Sequence, residues 1–348
     1  MTTVLGAVDR LAWRAWAART PADRALRAAL VPAAVAYGAV TALRNRLYDT
    51  GWLRVLQVPA RVLSVGNISV GGTGKTPTAL WLAERLAARG HATGIVARGY
   101  RKRRRGVVVV GEAGHPLVGP EEGGDEAVML ARRFRGPVVT GERRATAAAF
   151  ACTRYALDTI VLDDGFQHRA LARHADLVLA TEDASTSWPL PAGPLRDSLE
   201  ALGRARAVLA VDGPPPRACV VPVFRGALRP TALVRVGREG AWCPEPVDAI
   251  VGRDVVAVAG VARPERFTAT LARAGARVRD VLTFPDHHAY RAADAARISA
   301  AAAGRLVVTT EKDLVKLAPL LGVPALAALR VDLEVDDGEA LVDLLMRP

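Results

Sequence analysis

The chain has 348 residues, of which 51% are hydrophobic and 24% are charged, with both signs interspersed. This composition is typical of a folded protein of about two domains, and it excludes a disordered chain, a collagen-like fibre and a coiled coil. Cys152, Cys219 and Cys243 are too few and too widely spaced for a disulfide framework or a zinc site.

The formal net charge is +12, which favours anionic partners such as nucleic acid, an acidic membrane or a phosphorylated substrate. Among the 47 basic residues only four are lysines, namely Lys75, Lys102, Lys312 and Lys316. Because arginine is the usual cation in this chain, a position that retains lysine is a candidate for chemistry that requires a compact, flexible ammonium.

Residues 28–43 form an uncharged, mostly apolar run with arginines on both sides. A membrane-spanning helix needs about 20 apolar residues, so this run, which contains Pro32 and Gly38, is predicted to be too short to span. Charged residues before the run argue against a cleaved signal peptide. Contact with an anionic membrane surface is favoured, and an ordinary helix packed on its own domain is the alternative.

A phosphate-binding loop is indicated after the predicted strand 61–65, where the sequence GGTGKT leads into an amphipathic helix. Glycines in such a loop let backbone N–H groups close around phosphate oxygens, with Lys75 reaching the β- and γ-phosphates and Thr76 binding Mg²⁺. Ser69 stands where the strict pattern has glycine. The predicted nucleotide-binding residues are Gly71, Gly72, Thr73, Gly74, Lys75, Thr76 and Pro77.

An acidic pair lies at the end of the predicted buried strand 159–163, where Asp163 ends the strand and Asp164 follows it. Carboxylates at the end of a strand near a phosphate-binding loop are suited to hold Mg²⁺, directly or through water. A simple Asp-Asp-Gly turn is the alternative.

Asp125 and Glu126 open a predicted helix after two glycines, so they are either N-terminal capping residues or a general base and a metal-facing acid. The basic run 101–105 follows Arg98 at the end of a predicted strand, and it fits a solvated loop as well as a contact to an anionic substrate. Without interleaved aromatic residues, nucleic-acid binding is not predicted.

The sequence TFPDHHAY places Asp286 beside His287 and His288. An Asp–His unit for proton transfer is favoured over a zinc site, because zinc would need a third spaced ligand. The alternative is an exposed turn without a catalytic role. Farther on, Thr310 and Asp313 resemble a helix-capping pair, a role that leaves Lys312 unexplained.

Strand and helix patterns alternate along most of the chain, which predicts an α/β fold with a P-loop NTPase-type parallel sheet flanked by helices, a β-hairpin linker and a second, smaller α/β domain. The predicted strands of the first sheet are 61–65, 93–97, 137–140, 159–163, 176–181 and 207–211, and later strands begin near 255, 277, 306 and 325. The predicted domains are an N-terminal membrane-associating segment (1–55), a P-loop kinase domain (56–213), a hairpin linker (214–250) and a C-terminal α/β domain (251–348).

Taken together and in order, SVGNISVGGTGKTP, ARGYRKRRR, GGDEA, LDDGFQH, LPAGPLRDSL, VAGVARPERF, FPDHHAY and TTEKDLVKL resemble the tetraacyldisaccharide 4'-kinase (lipid A 4'-kinase) family over about residues 25–345. The resemblance implies transfer of the ATP γ-phosphate to the 4'-hydroxyl of a tetraacylated disaccharide 1-phosphate in lipid A biosynthesis. It also implies a two-domain P-loop fold with the N-terminal helix at the cytoplasmic face of the bacterial inner membrane, and it accounts for Ser69.

The same resemblance assigns site roles. Asp125 and His287 become the catalytic pair together with Lys75, and Asp286 becomes an orienting neighbour. Because Asp125 and His287 fall in different predicted domains, we expect hinge closure to bring them together. The remaining assignments are Thr76, Asp163, Asp164 and Glu126 as metal ligands, and Arg98, Arg144, Gln167 and His168 as substrate-binding or supporting residues.

The implied cofactors are ATP and Mg²⁺, and the implied partners are an anionic acylated disaccharide lipid and the membrane surface, with no nucleic acid and no obligate protein partner. One alternative is a P-loop GTPase or ATPase of the metallochaperone or ligase type. A non-enzymatic basic protein that binds membrane or nucleic acid is the other.

Overall fold

The computed structural model describes residues 11–217, 219–237, 240–321 and 326–348, and for residues 185 and 186 it describes the backbone only. The helices are α1 (Pro21–Asp49), α2 (Lys75–Ala88), α3 (Pro120–Gly123), α4 (Asp125–Arg133), α5 (Arg144–Tyr155), α6 (Pro264–Arg273), α7 (Ala292–Ala302), α8 (Glu311–Leu317) and α9 (Gly338–Met346). The strands are β1 (Arg61–Asn67), β2 (Thr93–Ala97), β3 (Val108–Glu112), β4 (His115–Pro116), β5 (Val138–Thr140), β6 (Thr159–Asp163), β7 (Ala175–Leu179), β8 (Ala207–Val211), β9 (Val223–Val236), β10 (Trp242–Pro246), β11 (Asp254–Ala259), β12 (Arg277–Thr283), β13 (Leu306–Thr310) and β14 (Leu326–Val335).

The predicted mixed α/β fold with mostly parallel strands is confirmed, and the strand positions agree with the prediction to within two residues at each end. The predicted start of the last strand at Ala325 lies outside the described residues. The sequence analysis missed β3 and β4, which are antiparallel additions: β3 pairs with β5, and β4 pairs with β3. The hairpin predicted within 214–250 is formed by β9 and β10, whose register pairs Trp242 with Val236.

The chain divides into two compact units, and it passes from one to the other after Lys75, Leu157, Ala227 and Glu334. Unit 1 comprises 1–75, 158–227 and 335–348, and unit 2 comprises 76–157 and 228–334. This partition differs from the boundaries predicted at 55, 213 and 250, which stay a prediction of domain organisation.

In unit 1, β8, β7, β1 and β6 lie side by side and run parallel. Parallel strands end at the same edge of a sheet, and the pairing of Val65 with Asp163 brings the ends of β1 and β6 together there. Close approach requires glycine at position 66, because a Cβ there would lie 2.5 Å from the Cβ of Phe166.

In unit 2, four strands pair side by side and run parallel, in the order β12, β11, β13 and β14. An apolar core packs on each face of these strands. Successive side chains of a strand point to opposite faces, so Val256 and Val258 pack with Ile298 of α7, whereas Val255 and Ala257 pack with Leu271 of α6. Helix α8 packs on the same face of the sheet as α7, and it also contacts α4. These contacts hold α4 and α8 side by side, and both helices carry charged residues of the candidate site.

Helix α1 extends well beyond the apolar run 28–43, from a capping box between Thr20 and Asp23 to Asp49. It contains an 18-residue window with a mean hydropathy of 1.6, and almost none of that window is buried. By length and composition the helix is therefore sufficient to cross a membrane, so the prediction that this segment is too short was wrong on that point. Signal segments and core helices of soluble proteins meet the same two criteria.

Candidate active site

The loop between β1 and α2 has the local conformation that its glycines allow. Gly71 and Gly74 have φ angles of +115° and +89°, which residues with a Cβ rarely adopt. Gly72 and Thr73 lie between them, and the Thr73 hydroxyl accepts a hydrogen bond of 2.9 Å from the side-chain amide of Asn67. The loop is thereby tied to the end of β1, and Lys75 begins the helix that follows.

Beside this loop, in unit 1, the carboxylate of Asp164 is held by two cations. Its Oδ1 lies 3.8 Å from the Nζ of Lys75, and Arg196 donates to both of its oxygens at 2.8 and 3.1 Å. Arg196 also donates to the side-chain oxygen of Asn67. A bidentate guanidinium–carboxylate pair is geometrically specific, so Arg196 fixes Asp164 relative to the phosphate loop. Asp163, the last residue of β6, is buried.

Gln167 and His168 follow Asp164 in the same loop. The Gln167 side chain donates to the carbonyl oxygen of Asn67 at 2.8 Å, and the His168 N–H donates to the carbonyl oxygen of Gly165. Of the residues predicted for substrate binding or support, Gln167 therefore has a structural contact to the end of β1.

In unit 2, the first turn of α2 contacts the start of α4. The Thr76 hydroxyl donates to Oε2 of Glu126 at 3.4 Å, and Pro77, which has no N–H, stands in the first turn of α2, where helix N–H groups have no intrahelical acceptor. Thr76 and Glu126, both predicted metal ligands, are thus brought together.

The most distinctive contact joins Asp125 to His287. Nδ1–H of the imidazole donates to the Asp125 carboxylate, with both oxygens 3.0 Å away. Burial alone would raise the pKa of Asp125, but the hydrogen bond from His287 and the positive charges of Lys316 and Lys312 outweigh it and hold the pKa far below its usual range. Asp125 is also the first residue of α4, where the helix dipole favours a negative charge.

His287 lies in the loop after β12 with a φ of +56°, a left-handed conformation that is uncommon outside glycine. Its N–H donates to Oδ1 of Asp286 at 3.0 Å, and its other ring nitrogen, Nε2, lies 3.8 Å from Oδ2 of the same residue. The ring of Tyr100 packs against the imidazole with centroids 4.8 Å apart. The side chain is therefore held from several directions, with Asp125 at Nδ1.

Both lysines of α8 contact carboxylates of the candidate site, and the sequence analysis assigned a role to neither lysine. Lys312 lies 2.5 Å from Oδ1 of Asp286 and 3.9 Å from Glu126. Burial alone would lower the pKa of Lys312, but the charges of Glu126, Asp286 and Asp125 raise it above its usual value. Lys316 lies 3.1 Å from Oδ2 of Asp125. The signal that pointed to them was the scarcity of lysine in this chain.

The contact between the predicted catalytic residues lies within one compact unit. Asp125 and His287 belong to the same compact unit and are already in hydrogen-bond contact. Hinge closure was expected from predicted boundaries that separate Asp125 from His287, and closure on nucleotide binding stays a prediction.

Two predicted arginines occupy different environments in unit 2. Arg98 follows β2 directly and is exposed. Arg144 is the first residue of α5; it is buried, and its guanidinium donates to the carbonyl oxygen of Glu142 at 3.1 Å. Their roles toward a substrate stay predictions.

Comparisons with known proteins identify the family of the chain. The family model described as tetraacyldisaccharide-1-P 4'-kinase matches residues 26–347. The chain is 42% identical to the tetraacyldisaccharide 4'-kinase of Anaeromyxobacter sp. (strain Fw109-5), over 96% of this chain and 94% of that one. It is 36% identical to the protein of the same name from Syntrophus aciditrophicus, over 87% and 88% of the two chains.

Among solved structures, the chain is similar to LpxK from Aquifex aeolicus, crystallised in complex with ATP. The TM-score is 0.79 and the sequence identity is 31%, with 92% of this chain and 98% of that chain covered. The match over nearly the whole length, in sequence and in fold, leads to one conclusion: the chain belongs to the tetraacyldisaccharide 1-phosphate 4'-kinase family.

Proposed function

We propose that this protein transfers the γ-phosphate of ATP to the 4'-hydroxyl of a tetraacylated disaccharide 1-phosphate, a step of lipid A biosynthesis. Family membership supports the substrate class, and the relatives' names state the same reaction. The observation in this chain that carries the proposal is the buried Asp125–His287 contact of 3.0 Å, because a sugar hydroxyl is a weak nucleophile that needs a base.

The phosphate loop supplies the nucleotide site in this proposal. Backbone N–H groups of Gly71–Lys75 and the start of α2 favour a polyphosphate, and the Lys75 ammonium offsets negative charge on the β- and γ-phosphates. ATP is the nucleotide bound in the Aquifex relative. We therefore assign ATP as the phosphoryl donor.

Oxygen donors of the kind that Mg²⁺ prefers occur in each of the two units. In unit 2 the Thr76 hydroxyl and the Glu126 carboxylate lie 3.4 Å apart. In unit 1 Asp163 ends β6 and Asp164 follows it. Mg²⁺ prefers oxygen ligands and binds through one or two carboxylates together with substrate phosphates. The sequence-based assignment of Thr76, Asp163, Asp164 and Glu126 as Mg²⁺ ligands stays a prediction, and a bound ion would offset charge on the transferring group.

His287 acts as the general base. Asp125 holds Nδ1–H, which leaves the lone pair of Nε2 to accept the proton of the 4'-hydroxyl. The oxygen of that hydroxyl forms a bond to the γ-phosphorus while the bond between the γ-phosphorus and the bridging oxygen breaks, and ADP leaves with that oxygen. The resulting imidazolium is stabilised by the ionised carboxylate of Asp125, as in other acid–base dyads.

The acceptor is an amphiphile, so the protein must work at a lipid surface. Helix α1 has exposed apolar side chains, including Val35, Val40 and Leu43, and its flanks carry arginines that suit anionic headgroups. We propose peripheral or monotopic association with the cytoplasmic face of the bacterial inner membrane, where ATP is present.

The test is an assay with ATP labelled at the γ-phosphate and a disaccharide 1-phosphate lipid in mixed detergent micelles. We expect a lipid product that has gained one phosphate, with a rate that depends on both substrates. Nucleotide hydrolysis without a phosphorylated lipid would instead favour a P-loop GTPase or ATPase of the metallochaperone or ligase type. A folded sample that binds anionic vesicles but not magnesium–ATP would indicate a non-enzymatic membrane protein.

A further inference from the structure

A second carboxylate lies behind Asp125, and one ammonium joins the two. The Nζ of Lys316 lies 3.1 Å from Oδ2 of Asp125 and 3.2 Å from Oδ1 of Asp313. Lys316 stands one turn after Lys312 on α8, and the roles assigned above do not use it. Its side chain is only 12% exposed, so the ion pairs form with little competition from water.

Asp313 is fixed by its own contacts. It is fully buried, and its Oδ2 accepts hydrogen bonds of 2.9 Å from the N–H of Gly260 and from the hydroxyl of Thr310. A Cβ at Gly260 would lie 2.9 Å from Oδ1 of Asp313 and 2.8 Å from the hydroxyl oxygen of Tyr290, so glycine is required for this approach. These contacts fix the carboxylate of Asp313, and its Oδ1 in turn fixes the ammonium of Lys316.

An aromatic ring closes the remaining side of the ammonium. The Nζ of Lys316 lies 5.4 Å from the centre of the Tyr290 ring, within the range of a cation–π contact. With Asp313 and Tyr290 on one side, the ammonium has one further strong partner among its described contacts, the carboxylate of Asp125.

We propose that Lys316 is a positioning residue for the proton transfer, an inference that rests on the proposed function. Anchored by Asp313, it holds Oδ2 of Asp125 so that the carboxylate keeps both oxygens 3.0 Å from Nδ1 of His287. That geometry selects the His287 tautomer with the proton on Nδ1 and the acceptor lone pair on Nε2. Lys316 thus acts on the reaction through Asp125, without contact with the substrate.

Arg330 provides a control that distinguishes positioning of Asp125 by Lys316 from a purely structural role of Lys316 in α8. Arg330 donates to Glu311 at 2.8 Å, so it also ties a partly buried cation to α8, but its contact is with the first residue of the helix. Arg330→Met therefore loosens α8 without removing a partner of Asp125. Glu311 keeps its second cation, Arg133, in that variant.

The test measures kcat and KM of the full-length protein and of the variants Lys316→Met and Arg330→Met. We expect Lys316→Met to lower kcat about 10- to 100-fold, a range consistent with misplacement of a base by a fraction of an ångström, and to leave KM for both substrates within about threefold. Arg330→Met should keep kcat within about threefold. In a His287→Ala background, Lys316→Met should change the remaining rate by less than about twofold, because its effect passes through the imidazole.

A second readout needs no turnover. In a histidine-labelled sample, ¹⁵N NMR should show His287 as the Nδ1–H tautomer in the parent chain and in Arg330→Met, and a mixture of tautomers in Lys316→Met. An unchanged tautomer, or equal losses of kcat in Lys316→Met and Arg330→Met, would overturn the proposal. A parent chain that makes no phosphorylated lipid would contradict the proposed function instead, and the NMR comparison would still decide whether Lys316 orients the pair.

Discussion

Two neighbouring histidines have separate partners in this protein. His287 binds Asp125 through Nδ1, whereas the imidazole of His288 stacks on Phe284 with centroids 4.9 Å apart and pairs with Asp294 through Nε2 at 3.0 Å. Asp294, the carboxylate that pairs with His288, also accepts a hydrogen bond of 2.9 Å from the backbone N–H of Arg291 at the start of α7. The second imidazole is therefore part of the packing of the C-terminal α/β elements.

This difference makes a prediction with an internal control. His287→Ala should lower kcat by at least about 100-fold, the usual contribution of a general base, with KM changed only severalfold. His288→Ala should lower the free energy of unfolding but keep kcat within about threefold. Steady-state kinetics and urea unfolding of both variants provide the measurements, and a reversal of the two kcat effects would contradict the assigned roles.

Tyr290 gives the molecule a predictable response to alkaline pH. Burial, and then the negative charge of Asp313, raise the pKa of this phenol well above its usual value of about 10. In the unfolded chain the phenol ionises near that usual value, so the folded protein binds more protons above pH 10. Its contribution to stability is complete below that pH and declines as the pH rises further.

We expect the free energy of unfolding to fall more steeply above pH 10 in the parent chain than in Tyr290→Phe, by up to about 1.4 kcal/mol per pH unit. Urea titrations at several pH values between about 8 and 11.5 measure the two slopes. Equal slopes for the two proteins would show that the phenol ionises in the folded state as it does in the unfolded chain.

The sequence predicted residues that belong to a local pattern, but it did not predict which distant residues contact them. The glycines and Lys75 were predicted because a phosphate loop has a fixed local pattern, and Asp164 was predicted because it follows a buried strand. Lys316 and Arg196 were not assigned, because each acts on a residue more than 30 positions away, and no local spacing encodes such a contact. Only the scarcity of lysine carried a hint.

Helix α1 presents two different faces. The side that packs on unit 1 carries Tyr37, Arg44 and Asn45, which donate hydrogen bonds to the carbonyl oxygen of Arg196, the carbonyl oxygen of Gln167 and the carboxylate of Asp197. These positions repeat with helical spacing from Ala34, which is fully buried. Val35, Val40 and Leu43 lie between these positions, and their side chains are more than half exposed.

For this element we expect Val35→Asn, Val40→Asn and Leu43→Asn together to weaken binding to anionic phospholipid vesicles at least about tenfold, since each buried apolar side chain contributes about 1.5–3 kcal/mol. Vesicle flotation of both proteins measures the change, and ATP affinity should stay within about twofold. Unaltered flotation would place the lipid contact on another surface.

The strands that the sequence missed also have a physical explanation. The run 107–110 is as apolar as the predicted strands, but the assumption of a strict strand–helix alternation left no place for an extra strand. β3 pairs antiparallel with β5, and β4 has only two residues. Antiparallel strands added at a sheet edge need no crossover helix, so an alternating pattern of strands and helices does not predict them.

Across the whole molecule, each compact unit is assembled from separated segments of the chain. The last segment, 335–348, contains α9, which packs on β7 and β8 of unit 1, and the carbonyl oxygen of Met346 accepts a hydrogen bond from Arg61. Leu341, Val342 and Leu345 of this helix are buried. The sequence placed this helix correctly but assigned it to a C-terminal domain, because contiguity in the chain was the only available guide.

A chain that ends at residue 334 should therefore lose stability in unit 1 although the missing helix is remote in sequence. Exposure of three buried aliphatic side chains corresponds to a loss of several kcal/mol, on the order of half the stability of a domain. Thermal unfolding and limited proteolysis measure the loss, with removal of Arg347 and Pro348 alone as the control. Cleavage confined to unit 2 would contradict the assignment of α9 to unit 1.

The four lysines have a practical consequence for anyone who labels this protein. Each ε-amine is engaged by a carboxylate, Lys75 by Asp164, Lys102 by Glu142 at 3.5 Å, and the other two by the groups around His287. Acylation by a succinimidyl ester would remove the positive charge of Lys75, Lys312 or Lys316 from the candidate active site, so we expect amine labelling to lower the activity. Cys243, which is exposed on β10, offers a maleimide a handle for fluorophores or surface tethering that leaves these amines untouched.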